Sequence, residues 1–120
     1  MQIKEAIAIA DAQRPNQIEN VLKLRWLSEM DGIVEREVFS PDGGGDFEGY
    51  SPDMPQETLL KIPFPYDSIY PLWLEAHIAR INGETEKYNN CLTMCYERME
   101  SFRAYHTRTT KRCVPQVKFF

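Results

Sequence analysis

The sequence predicts an all-α fold: a small four-helix domain with a long glycine-rich acidic loop between helices two and three. Three observations carry this reading. Apolar residues recur at spacings of three and four in four separate segments. Gly83 and a short polar connection part the last two segments, as in an antiparallel helical hairpin. The helical period disappears between Phe39 and Thr58, where glycine, proline and acid gather. A chain of 120 residues suits one domain, 1–120, with a modest core.

The first helix follows from Ile3, Ala6, Ile7 and Ala10, one apolar stripe that Pro15 ends. Asn16 followed by Glu19 reads as a capping box for a second helix over about 17–37. Ile18, Leu22, Trp26, Met30 and Ile33 make one broad face of it, and Leu27, Val34 and Val38 lie to another side. A helix apolar on two sides must meet more than one neighbour. Gly32 allows a bend or a close crossing within it.

The segment about 39–58 holds Gly43, Gly44, Gly45 and Gly49 with Pro41, Pro52 and Pro55. A loop of this length is uncommon in a small domain and tends to be functional or disordered. Its composition predicts that 41–55 is mobile or held by a neighbouring copy, with a small hairpin between Phe47 and Leu59–Ile62. Asp67 is placed to cap the third helix, and Pro71 is tolerated in its first turn. Ile69, Leu72, Trp73, Ala76 and Ala79 form one stripe, and Tyr70, Leu74, Ile78 and Ile81 a second. The helix is therefore central, or sandwiched between the fold and a partner. Trp73 should be mostly buried, in the fold or in an interface. A fourth helix over about 84–105 carries Tyr88, Cys91, Leu92, Cys95, Met99 and Phe102 on one arc. Past Thr107 the stripe ends, so about 108–120 reads as a flexible tail or an edge strand.

Charge is unevenly placed within a net charge of −4. Between Glu29 and Glu57 the acids Asp31, Glu35, Glu37, Asp42, Asp46, Glu48 and Asp53 face one base, Arg36. From Arg103 on there are Arg108, Lys111, Arg112 and Lys118 and no acid. This asymmetry can steer encounter with nucleic acid, or join the middle of one copy to the tail of the next. A solvated face with a loose tail is the plain alternative.

No motif nominates catalytic, cofactor-binding or metal-binding residues. Cys91 and Cys95 are one turn apart, with His77 and His106 to complete a set of four and Cys113 as a spare, but Cys91 and Cys95 lie inside an apolar stripe and lack knuckle spacing. Asp42, Asp46 and Glu48 do not follow the order of a calcium loop. The glycine run lacks the lysine and hydroxyl of a phosphate loop. Asp67 or Glu75 beside His77 meets no nucleophile by any motif. No apolar run is long enough to cross a membrane, and the N-terminal segment is a poor signal peptide, so the expected place is the cytoplasm. Aromatics concentrate around the third helix as Tyr66, Tyr70, Trp73 and Tyr88. Interface centres are enriched in aromatics, though domain cores use them as well.

The "RPN" before helix two, "RWLSEMDG" within it, "PYDSIYPLWLEA" leading into helix three and the "NGETEKYNN" turn together resemble small neck proteins of tailed phages and of Gram-positive prophages. These are the head–tail connector, or head-completion, proteins. The similar stretches cover roughly 6–108, and "SPDGGGDFEGY" lies outside the pattern. The resemblance implies a small helical, non-enzymatic virion protein without a cofactor. It implies a ring with itself, of twelve copies in the virion, that extends the DNA channel. Its partners would be the portal protein and a tail-side neck protein, with non-specific proximity to DNA and no membrane. Its place would be the virion neck, after assembly in the host cytoplasm. A monomeric helical regulatory or adaptor protein of a phage or prophage is the alternative.

Overall fold

The computed structural model describes residues 1–40 and 46–113, the last three in backbone only. Four helices form: α1 (Ile3–Gln13), α2 (Asn20–Val34), α3 (Ile69–Ile81) and α4 (Thr85–Cys113). The architecture is all-α, with a long connection between α2 and α3. A π-helical turn, Glu35–Phe39, prolongs α2, and a 3-10 turn, Tyr66–Ser68, leads into α3. The molecule is elongated, 59 × 34 × 23 Å.

Helix α3 is central and packs on α1, α2 and α4. Both of its predicted stripes contribute to the core, through Ile69, Ala76 and Ala79 on one side and Tyr70, Leu74 and Ile78 on the other. Leu72 and Trp73 are only half-buried against the core, and Ile81 is exposed. Helices α3 and α4 run antiparallel. Arg98 Nε donates to Ser68 Oγ at 2.9 Å, and Tyr66 packs on Phe102 and Tyr105, so late α4 lies beside early α3. Cys91, Cys95, Met99 and Phe102 are buried as their spacing requires.

The turn between α3 and α4 is a Schellman motif. Glu84 N donates to Ala79 O at 2.9 Å and Gly83 N to Arg80 O at 3.2 Å, with Gly83 at φ +76°. A Cβ on Gly83 would meet nothing within 4 Å, so its cost is conformational alone. Gly83→Ala should therefore lower the unfolding free energy by about 1 kcal/mol, measured by urea denaturation.

All four stripe residues of α1 are buried. Its first turn is closed by the returning linker: Ile3 N donates to Thr58 O at 3.0 Å and Lys4 N to Gln56 O at 3.1 Å. These bonds satisfy amides that a helix start leaves unpaired. The hairpin expected between Phe47 and Leu59–Ile62 does not form. Leu59 instead bridges Gln2, because α1 offers open amides there and Phe47 is drawn elsewhere.

Other local expectations are corrected. Asn16 caps no helix: its Oδ1 accepts from Ile18 N at 3.0 Å, and its Nδ2 donates to Asp11 Oδ1 and Arg14 O. Helix α2 starts later, after Glu19. Asp67 sits inside the 3-10 turn, and the residue before α3 is Ser68, without a side-chain cap. Gly32 allows no close crossing, since a Cβ there would meet nothing within 4 Å. Helix α4 does not stop near Tyr105 but continues to Cys113. An apolar stripe is needed to dock a helix, not to propagate one once nucleated. Thr109 Oγ1 bonds back to Tyr105 O at 3.0 Å along the way. The remainder of the predicted tail, 114–120, and the loop residues 41–45 lie outside the described residues.

Candidate functional site

A buried polar centre organises the α2–α3 side of the molecule. Leu24, Leu27, Asp31, Val34 and Val38 follow one another at three- and four-residue steps, so Asp31 falls in the middle of an inward apolar seam. Its carboxylate is fully buried. Oδ1 accepts the Tyr70 hydroxyl at 2.5 Å, and Oδ2 accepts the Tyr50 hydroxyl and Lys61 N at 3.1 Å. The Tyr70 hydroxyl in turn accepts Ile62 N at 2.7 Å. Burial pushes the Asp31 carboxyl above its ordinary range, and the hydrogen bonds pull it partly back. Burial and the neighbouring Asp31 raise both phenols well above the usual phenol value. The tyrosines therefore remain donors. The cluster ties α2, α3 and the linker together.

Through Tyr50 this centre also anchors the linker to α2. Tyr50 N donates to Ser28 Oγ at 2.8 Å, and Phe47 packs edge-on against Tyr50. The Lys61 ammonium lies 4.8 Å from the Phe47 ring centroid and 3.2 Å from Glu35 Oε1. The expectation that 41–55 is mobile or held by another copy is thus corrected for Phe47–Tyr50. Two aromatics supply the apolar surface that offsets the ordering entropy.

The anchored linker raises a wall beside the outer face of α2. On the opposite side stand Trp73 and His77 of α3, and Tyr96 and Met99 of α4. Three adjoining hollows of about 510, 500 and 290 Å³ run along this face and share Glu29, Phe47, Ile33 and Trp73. Val21, Leu22 and Ile33 are exposed on it, although the sequence places Leu22 and Ile33 with the packed Trp26 and Met30. Helix α2 turns its seam of Leu24, Leu27 and Val34 to α3, and among the described residues nothing covers that other edge.

Trp73 and His77 are held rigidly at the groove. Trp73 Nε1 donates to Trp26 O at 2.8 Å. The His77 ring stacks on Trp26 at 4.7 Å, with planes 9° apart, and meets Trp73 edge-on at 4.6 Å. Burial, aided by the Arg80 charge, lowers the His77 pKa to about 4. The folded imidazole thus binds its proton less tightly than the unfolded one, whose pKa is about 6.5. Its neutral form stabilises the fold above pH 6.5, and that contribution is lost as pH falls toward 4. Between pH 7 and pH 5 the parent should lose about 1 kcal/mol more than His77→Phe, after discounting for partial exposure. Phenylalanine keeps the stack and cannot titrate. Urea denaturation of both chains at the two pH values checks this, and other titrating groups cancel in the difference.

The acids of the sequence run have divergent roles. Asp31 is buried, Glu29 is exposed on the groove, Glu37 lies 3.8 Å from Arg103 and Glu57 3.4 Å from Lys4. The candidate metal ligands are not brought together: Cys91 and Cys95 line the α3–α4 seam, His77 stacks on Trp26, and His106 packs on Phe39. Among the described residues no three His, Cys, Asp or Glu side chains form a metal-sized group. Glu75 and His77 face apart. Glu75 is buried 3.4 Å from Arg14 Nε, where desolvation raises its pKa. The aromatics also divide: Tyr70 is in the core, Tyr66 lies on Phe102, and Trp73 lies on the groove.

Sequence reasoning missed Asp31, buried Lys23 at 2.7 Å from Asp11, and the anchors Phe47 and Tyr50. For Asp31 the signal was present, as a lone acid in register with Leu27, Val34 and Val38. No helix among the described residues is long and apolar enough to cross a membrane. A scan against protein-family models and searches of curated proteins and of solved structures return no match to this chain.

Proposed function

We propose that the chain is a structural, non-enzymatic component of a phage neck. It forms a ring below the portal, extends the DNA channel and joins head to tail. The sequence resemblance to head–tail connector proteins supplies this frame. The observation that carries it is the outer face of α2: Val21, Leu22 and Ile33 stay exposed beside a half-buried Trp73, on a groove that the described residues leave open. Contiguous apolar surface of this kind marks protein contact. The portal on one side, a tail-side neck protein on the other and neighbouring copies within the ring are the partners this reading requires. A glycine-rich acidic linker facing the channel would repel DNA and ease its passage.

Removal of the gene from an inducible phage, followed by electron microscopy of the particles, tests the reading. The expected defect is filled or leaking heads without tails. Normal, infectious, tailed particles would defeat it.

A further inference from the structure

We propose that the groove on α2 is the seat for the C-terminal residues 114–120 of a second copy of this chain, with the basic end of α4 beside it; this deepens the ring reading and rests on it. The groove combines an aromatic and apolar lining, Ile33, Phe47 and Trp73, with the carboxylates Glu29, Glu35 and Glu37 and one base, Arg36; Lys61 lies on Glu35 and Arg103 near Glu37, so Glu29 is the carboxylate that the described residues leave to a ligand. Aromatic faces beside a carboxylate suit a ligand that combines apolar and cationic groups. The C-terminal segment has that composition. No acid follows Glu100; Arg108, Lys111 and Arg112 precede Val114, and Lys118 stands among Val117, Phe119 and Phe120. In an extended strand Lys118 would point opposite to Val117 and Phe119. One side of the segment would then meet Glu29 while the other fills the apolar floor.

Geometry favours a neighbour over the chain's own segment. Arg103 lies against Glu37, at one end of the groove, and α4 continues from there to Cys113. That stretch carries the chain about 15 Å further along the helix axis. Residues 114–120 span at most about 25 Å fully extended, and doubling back would use more than half of it. Only the Glu37 end of the groove would be within reach, whereas the face from Val21 to Glu37 is about 24 Å long. The segment of another copy has no such restriction. The contact joins two different surfaces, so it propagates into a closed ring or a filament.

Sedimentation velocity of the full chain over a concentration series tests the contact, with Glu29→Lys, Lys118→Glu and the double variant. Glu29 is exposed, and unchanged circular dichroism is the check that each reversal leaves the helices intact. The parent should self-associate, each single reversal should weaken association roughly five- to tenfold, and the double variant should recover most of the loss. A chain that stays monomeric throughout, or association indifferent to both reversals, overturns the proposal. Groove amides in a monomer that lose protection from exchange on Lys118→Glu would overturn it too, since the chain's own segment would then be the occupant. The phage deletion separates this contact from the neck reading. Tailed particles with association intact defeat the neck reading alone, and tailless particles with charge-indifferent association defeat this contact alone.

Discussion

Phe102→Ala is expected to lower the unfolding free energy by about 3–5 kcal/mol, a large share of the stability of so small a domain. Phe102 is 2% exposed and joins three parts of the molecule. Its ring meets Phe39 of the π turn edge-on at 5.9 Å, Tyr66 of the 3-10 turn at 5.7 Å and His106 of its own helix at 6.0 Å. Truncation removes the transfer energy of the ring and leaves a cavity that three rigid neighbours cannot close. Secondary structure in α4 should survive, because its backbone bonds do not depend on the ring. Urea denaturation followed by far-ultraviolet circular dichroism provides the measurement. A loss below about 1 kcal/mol would mean that the aromatic cluster does not hold α4 to the turns that flank the linker.

Asp31→Ala should cost about 3 kcal/mol, although it removes only one small side chain. Burial of the carboxylate is tolerated because three donors meet it. Once it is gone, the Tyr70 hydroxyl and Lys61 N remain in a site with little water, at about 1–3 kcal/mol for each unmatched group. The Tyr50 hydroxyl is closer to solvent and suffers less. Tyr70→Phe alone should cost less, since Asp31 keeps two donors on Oδ2, although its Oδ1 loses the Tyr70 donor and Ile62 N loses its acceptor. In a double-mutant cycle the two losses should fall short of additivity by about 1–2 kcal/mol. A second readout concerns the groove. Without Asp31 the Tyr50 anchor loosens, so amides around 47–50 should exchange faster while those of α3 keep most of their protection. Additive losses, or unchanged exchange in the linker, would show that Asp31 does not tie the linker to the helices.

What the sequence determined by itself was local. The stripes of α1, α3 and α4, the glycine that stops α3 and the antiparallel turn after it are properties of contiguous residues, read by period and by a single positive φ. The burial of Cys91, Cys95 and Phe102 follows from the same period. The groove was not legible in this way, because it depends on which of two apolar edges α2 turns to α3. Leu22 and Ile33 have the same hydrophobicity whichever way that helix rotates, and only packing against α3 left them outside. Asp31 stands in register with the inward seam, but what it and Lys23 pair with is not local. Their counter-groups come from residues distant in the chain, Tyr50 and Tyr70 for one and Asp11 for the other. The linker shows the limit most clearly. Its glycines and acids predict mobility, but two aromatics and one buried carboxylate hold Phe47–Tyr50 against α2. Composition averages over a segment, whereas an anchor is a few long-range bonds, and these exist only once the helices have assembled.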